Sequence, residues 1–252
     1  MLSGEQVSKT NSLAGCVALV TGASSGIGRS IALALSRQGV RLVVIGRNAV
    51  TLAETAMLAR QFSHVTDFQV DLTAAAAESL KPLLRHLEGE AGRLDILIHS
   101  AGVIHEDPME CARLEDFDLQ YATNVRAPYM LTQQLLPMLT TAGGQVVFIN
   151  SSVALTARRP EVGQYAATKH ALKAIADSLR EEVNPKGIRV LTVYLGRTAT
   201  PMQEALYRRE GKIYRSETLL QPEDVASVVV QALMLPPTAE VTDVSIRPMI
   251  KS

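Results

Sequence analysis

Tyr165 and Lys169 stand four residues apart in a segment of helical period, so their side chains share one face and can converge on one ligand. A free phenol, with a pKa near about 10, is a poor base at neutral pH. A neighbouring ammonium favours the phenolate and lowers that value, which makes the pair a candidate for moving a proton on and off an oxygen. An apolar run ends in Ser151 and Ser152, and Ser152 precedes Tyr165 by 13 residues. Its hydroxyl can donate to a carbonyl oxygen. Ser151 competes for that role, and a hydroxyl capping the next turn is the plain structural reading of either. A second group lies near the start, where Thr21-Gly22-Ala23-Ser24-Ser25-Gly26-Ile27-Gly28 joins an apolar run to a helical one. Glycines spaced GxxxGxG allow a tight turn and close backbone approach, and the following helix presents free N–H groups and a positive dipole to a pyrophosphate. Taken singly, each signal has a bland alternative: a structural turn, or an amphipathic helix with a core-edge Tyr and a solvated Lys.

These residues need elements to carry them. From Cys16 on, short β-branched apolar runs alternate with longer segments of helical period, the pattern of parallel strands joined by crossover helices. Strands are expected over 16–22, 41–47, 65–72, 94–100, 145–151, 189–195 and 241–246, and helices over 27–38, 51–61, 74–90, 114–139, 164–184 and 222–235. Pro137 and Pro185 mark the ends of two of the helices. Several strands are continuously apolar, as when helices cover both faces. The fold class is therefore α/β: a doubly wound seven-stranded parallel sheet with helices on both faces. Segments 153–163 and 197–216 fit neither period and follow strand ends, where ligands of such sheets bind, so they read as walls or lids of a site.

Composition narrows the partners. The chain has 252 residues, 47% of them hydrophobic, enough for one large core and one domain. Lys plus Arg and Asp plus Glu both total 25, so no global field draws nucleic acid or an anionic membrane. A small molecule is the expected partner. Cys16 and Cys111 form no metal-binding pattern, and no apolar run is long enough for a membrane span. Residues 1–12 are polar and are expected to be a flexible segment of a cytoplasmic protein, with no metal site.

TGASSGIG near the start, together with Tyr165-Ala166-Ala167-Thr168-Lys169, resembles the short-chain dehydrogenase/reductase family. The resemblance runs from about Leu13 to Ala232 through stations in matching order: Asp71-Leu72, Ala101-Gly102, Asn124, Ser151-Ser152 and Gly196. It implies one Rossmann-like NADP-binding and catalytic domain over 13–252, with Asn124, Ser152, Tyr165 and Lys169 as the catalytic set. It further implies that Lys169 holds the nicotinamide ribose hydroxyls, that Ser152 orients the substrate carbonyl, and that the Asn124 backbone holds a water linking the lysine to solvent. For the cofactor it points to Gly22, Ser24, Ser25, Gly26, Ile27 and Gly28 around the pyrophosphate. Asp71 and Leu72 fall at the adenine edge, although Asp71 is equally placed to cap the turn at Thr73. Ser100, Ala101 and Gly102 follow the fourth strand, and Gly196, Thr198 and Thr200 match the loop that takes the nicotinamide carboxamide. NAD-preferring members carry an acid at the end of the second strand. Here Gly46 stands there and Arg47 follows, a guanidinium suited to a 2′-phosphate, so NADP(H) is expected.

Departures from the family pattern matter too. His99-Ser100 stands where the family has two asparagines, and His99 reads as a satisfied histidine at a strand end. Leu195 replaces the usual proline before Gly196, and the end 241–252 resembles the branch of NADP-dependent hydroxy-acid and aldehyde reductases. Arg158, Arg159 and Arg197 lie in or beside the two wall segments and could receive an anionic substrate, though solvated loop arginines are commoner. The function read from this is NADP(H)-dependent hydride transfer between nicotinamide and a carbonyl or alcohol substrate, with a hydroxy acid or an aldehyde among the candidates. The alternatives are a non-catalytic NADP-binding sensor or scaffold, and epimerase or lyase chemistry on the same fold. The helices 114–139 and 164–184, with Ala171, Ala174 and Ile175 on an outer face, resemble those that pair in family homodimers and homotetramers.

Overall fold

The computed structural model describes residues 12–73 and 77–250. The expected N-terminal segment 1–12 falls almost wholly outside these residues, as does the expected start of the third helix at 74–76. The strands are β1 (Val17–Thr21), β2 (Arg41–Gly46), β3 (Val65–Gln69), β4 (Ile96–His99), β5 (Gln145–Ser151), β6 (Arg189–Leu195) and β7 (Asp243–Ile246). Among the described residues they form one seven-stranded sheet, ordered β3-β2-β1-β4-β5-β6-β7, with every neighbouring pair parallel. The order reverses between β1 and β4, which opens a crevice at their carboxyl ends.

The helices are α1 (Gly26–Arg37), α2 (Ala49–Ala59), α3 (Ala77–His86), α4 (Leu114–Tyr121), α5 (Ala127–Ala142), α6 (Gly163–Val183), α7 (Pro201–Arg209) and α8 (Pro222–Leu233). Alternation along the strands divides the core in two. Ala18 and Val20 of β1 pack with Ile31 and Leu35 of α1 and with Val225 and Val229 of α8. Val17 and Leu19 face the other way, with Leu131 and Leu135 of α5 and Leu172 and Ala176 of α6. Burying one such side chain contributes roughly 1.5–3 kcal/mol, which is why both faces of a central strand are apolar.

Several boundaries differ from those expected. The helix expected over 114–139 is broken by a π-helical turn, Ala122–Arg126, between α4 and α5. Pro137 does not end its helix. It lies inside α5 on an exposed face, where one missing hydrogen bond is outweighed by buried Leu135 and Leu139, and the helix closes on left-handed Gly143. Pro185 does follow a helix end, in the 3-10 turn Asn184–Lys186 after α6. Within the expected wall 197–216 the chain forms α7, capped by Thr200, whose hydroxyl accepts the Gln203 N–H at 3.2 Å. Short polar helices of this kind carry too few apolar residues to show a period.

Candidate active site

β1 passes into α1 through a turn that excludes side chains. Gly22 has φ +67, and a Cβ there would lie 2.8 Å from the Ala101 backbone; a Cβ on Gly28 would lie 2.4 Å from the Gly22 carbonyl oxygen. The Thr21 hydroxyl accepts the N–H groups of Ser100 and Ala101, both at 3.0 Å, and ties the turn to the end of β4. Arg29 clamps it from the other side, donating to the Ser24 and Thr51 carbonyls at 2.7 and 2.9 Å. Ser25 precedes α1 without a side-chain capping bond, so no hydroxyl competes for the first N–H groups of the helix.

These atoms line a cleft of about 470 Å³ that runs from Gly22–Gly28 past Gly46 and Arg47 to Asp71, Leu72 and Thr73, with Ser100, Ala101 and Gly102 beneath and Thr200 to Met202 above. The uncapped start of α1 and the glycine cradle fit a dinucleotide pyrophosphate. A Cβ on Gly46 would meet the Ser24 hydroxyl at 2.1 Å, so an acid at this position needs Ser24 displaced. Exposed Arg47 stands at the cleft edge, its carbonyl held by Gln69 Nε2 at 3.1 Å. Asp71 lines the cleft and also accepts the N–H and hydroxyl of Thr73, at 2.9 and 2.7 Å, so its turn-capping role is present. Gly196 lets the chain pass the C-terminal segment: its N–H donates to the Ile246 carbonyl, and a Cβ would stand 3.0 Å from Pro248. The Thr198 hydroxyl donates to the Gly196 carbonyl at 3.1 Å.

A second cavity, of about 260 Å³, joins this cleft along Ile27, Ser100, Gly102, Val103, Thr200 and Met202. Tyr165 and Lys169 lie on its wall, and a Cβ on Gly102, which lines both spaces, would stand 3.8 Å from Lys169 Nζ. Burial pushes the phenol up to about 12, against the pull of a hydrogen bond with the Ser151 hydroxyl. Lys169 stands with Nζ 5.7 Å from the centre of the Tyr165 ring and 3.3 Å from the Ile149 carbonyl; its burial brings it down to about 8. Desolvation thus dominates at the phenol in the protein alone, and the opposing pull comes from Ser151 and Arg159 rather than from the ammonium. A phenol that keeps its proton is a proton donor.

Ser151 and Ser152 both line the cavity with Tyr165; the Ser151 hydroxyl holds the phenol back from a further rise and also accepts the Val153 N–H at 3.3 Å, the turn-capping role expected of a serine here. Strand β5 runs through Ser151, and Ser152 opens a 3-10 turn with its side chain exposed on the cavity rim. Asn124 lies in the π turn and is buried. Its side chain accepts the Val103 N–H and donates to the Val103 carbonyl, both at 2.9 Å, and donates to the Thr168 hydroxyl at 3.0 Å. It therefore fixes the loop after β4 against α6. Asn150, which the sequence did not single out, donates to the Lys169 carbonyl at 3.1 Å and holds the lysine turn against β5. Its place beside the two serines was the available signal.

His99 is buried, bonds the Thr132 hydroxyl through Nε2 at 2.8 Å, stacks on Phe148, and is pushed by burial down to about 3, so it stays neutral. It is a packing residue. Leu195 is buried at the end of β6. Arg158 is exposed and outside the cavity lining, whereas Arg159 and Arg197 line it and are already paired. Arg159 binds Glu106, and its Nη1 lies 3.4 Å from Glu210; Arg197 lies 3.4 Å from the same carboxylate. Sequence reasoning missed Glu106 and Glu210, which carry no motif. Among the described residues no group of His, Cys, Asp and Glu could hold a metal ion, and no helix is long and apolar enough to cross a membrane.

The family model described as short chain dehydrogenase matches residues 16–211. An uncharacterized oxidoreductase of Staphylococcus epidermidis is 32% identical over 234 residues, covering 92% of this chain and 97% of that one. An uncharacterized short-chain type dehydrogenase/reductase of Sinorhizobium fredii is 32% identical over 237 residues, covering 92% and 91%. Among solved structures, a short chain dehydrogenase of Shigella flexneri complexed with NADP superposes with a TM-score of 0.85 at 29% identity, covering 94% of this chain and 99% of that chain. An alcohol dehydrogenase of the archaeon Thermococcus sibiricus complexed with 5-hydroxy-NADP gives a TM-score of 0.83 at 26% identity, over 94% and 98%. The chain belongs to the short-chain dehydrogenase/reductase family, a family of Rossmann-fold oxidoreductases.

Proposed function

We propose that this chain is an NADP(H)-dependent oxidoreductase acting on a small carbonyl or alcohol substrate, with residues 13–252 working as one cofactor-binding and catalytic unit. The observation that carries this reading is the Tyr165 phenol, with Lys169 beside it, on the wall of a small cavity that joins a dinucleotide-shaped cleft. NADP bound to the relative from Shigella flexneri and 5-hydroxy-NADP bound to that from Thermococcus sibiricus support the same cofactor here. Gly22 to Gly28 would hold its pyrophosphate, Arg47 its 2′-phosphate, Asp71 and Leu72 its adenine. Ser100, Ala101 and Gly102 would floor the site, and Gly196, Thr198 and Thr200 would take the carboxamide. When bound, the nicotinamide supplies or accepts the hydride.

The chain's own residues handle the oxygen and its proton. The Ser151 hydroxyl orients a carbonyl oxygen, with Ser152 at the rim as a second donor, and Tyr165 gives that oxygen its proton in reduction or takes it in oxidation. Lys169 holds the ribose hydroxyls and offsets negative charge on the phenol, and the Asn124 turn carries the route by which the lysine regains a proton. Assembly through α5 and α6 into a homodimer or homotetramer belongs to the same reading, and light scattering checks it. The central test is a panel of aldehydes, ketones and oxo acids read by NADPH absorbance. Turnover that disappears in Tyr165→Phe while NADPH binding persists is expected. Turnover surviving that change removes the phenol from the chemistry, and NADPH binding without any turnover favours a sensor.

A further inference from the structure

The mouth of the substrate cavity carries a set of charges that proton transfer does not use. Glu210 is the C-cap residue of α7, where a carboxylate meets the negative end of the helix dipole. What holds it there is a ring of cations: Arg159 Nη1 and Arg197 Nη2, each 3.4 Å from Oε1, and Lys212 Nζ, 2.7 Å from Oε2. Burial alone would raise the Glu210 carboxyl, and the neighbouring Lys212, Arg197 and Arg159 overcome that and hold it below the usual range. The two guanidiniums are oriented by other contacts: Arg197 over the Tyr207 ring at 5.0 Å, and Arg159 by its ion pair with buried Glu106. They converge on one carboxylate, carried by the C-cap residue of a nine-residue helix. Arg159 and Arg197 are 43% and 28% exposed against 20% for Glu210, so solvent reaches both guanidiniums and screens the pairs in part.

We propose that Arg159 and Arg197 form an anion subsite for a carboxylate on the substrate, and that Glu210 occupies it until such a substrate enters. The substrate class is then a short oxo acid or hydroxy acid, which rests on the reading of the chain as a carbonyl/alcohol oxidoreductase. The size of the cavity agrees: about 260 Å³ lies below the roughly 300–1,000 Å³ of sites for drug-sized ligands. Placement agrees as well, because Arg159, Arg197 and Tyr165 all line this one cavity, so the carboxylate and the reacting carbonyl belong to one small molecule. Glu106 stays paired with Arg159, and a substrate carboxylate takes over from Glu210 the charge that balances Arg197.

The test compares levulinate with its neutral amide as calorimetric titrants of the full chain saturated with NADP+, and reads the ratio of the two dissociation constants. Wild type is expected to favour the acid, and Glu210→Gln, which removes the internal competitor, to widen the ratio roughly tenfold in favour of the acid. Arg197→Gln and Arg159→Gln are each expected to bring the ratio toward one, with amide binding reporting an intact cavity. A ratio near one in both wild type and Glu210→Gln overturns the subsite, as does a ratio that narrows in Glu210→Gln or no acid binding in either protein. Levulinate that binds in the expected pattern but is never reduced leaves the subsite standing and counts instead against Tyr165 as donor to that carbonyl.

Discussion

Around the dinucleotide cleft the shape is set by backbone and by short buried bonds. Gly22 and Gly28 admit no Cβ, Thr21 receives two N–H groups, and Arg29 binds two carbonyls of the turn and of α2. Around the smaller cavity the shape is set by long charged side chains, Arg159, Arg197, Glu106 and Glu210, borne by loops and by the end of α7. Preorganised backbone presents one geometry, which suits a ligand whose phosphates do not vary. Side-chain ion pairs have several arrangements of similar energy, which suits a wall that distinguishes substrates and yields to them. The difference explains why the first region is built from motif residues while the second carries residues outside any motif.

That contrast can be broken at several points. Gly28→Ala places a Cβ 2.4 Å from the Gly22 carbonyl, and is expected to abolish NADPH binding and to lower stability by about 1–3 kcal/mol, read by calorimetric titration and thermal melting. Unchanged binding would show the cradle to be softer than its geometry. Ser151→Ala removes the donor beside the phenol and should lower kcat by about 10²–10³, with Ser152→Ala much milder. The reverse ranking restores the serine that chain spacing favoured. Arg47→Asp should move the ratio of kcat/KM for NADPH over NADH by roughly 10–100-fold toward NADH, the scale of one charge-assisted pair. An unaltered ratio places phosphate recognition elsewhere in the cleft.

The smallest expected effect is on pH. Tyr165, raised to about 12, keeps its proton throughout the neutral range, so its acid form does not limit reduction. Lys169, lowered to about 8, is charged below that pH and loses its proton above it, so reductive kcat/KM should fall as pH rises through about 8. The profile of kcat/KM, which reports the free enzyme, checks this. A rate that climbs over the same interval would mean that the phenolate is the working form.

Local chemistry was legible in the residues. The glycine turn, the Tyr165–Lys169 face and the apolar strands each follow from a few neighbouring positions, because a turn needs glycine where φ is positive and a helix brings residues four apart together. His99 was legible too, as a packed histidine. The wall 197–216 was not read as a helix, because α7 is held by its Thr200 cap and its ion pairs rather than by an apolar period. The π turn at Asn124 left no trace either, since one extra residue in a helix costs nothing in composition.

By itself the sequence determined the alternation of strands and helices, the order of the motif stations and the two residues that meet at the proton. Those depend on period, on backbone permission and on separations within a single element. Only the tertiary structure decided that burial dominates at the Tyr165 phenol, that Asn124 ties the loop after β4 to α6, and that Arg159 and Arg197 close on Glu210 from separate segments. Each of these depends on how far a loop carries one element past another and on how much water is left between them, and neither quantity is written in residue spacing.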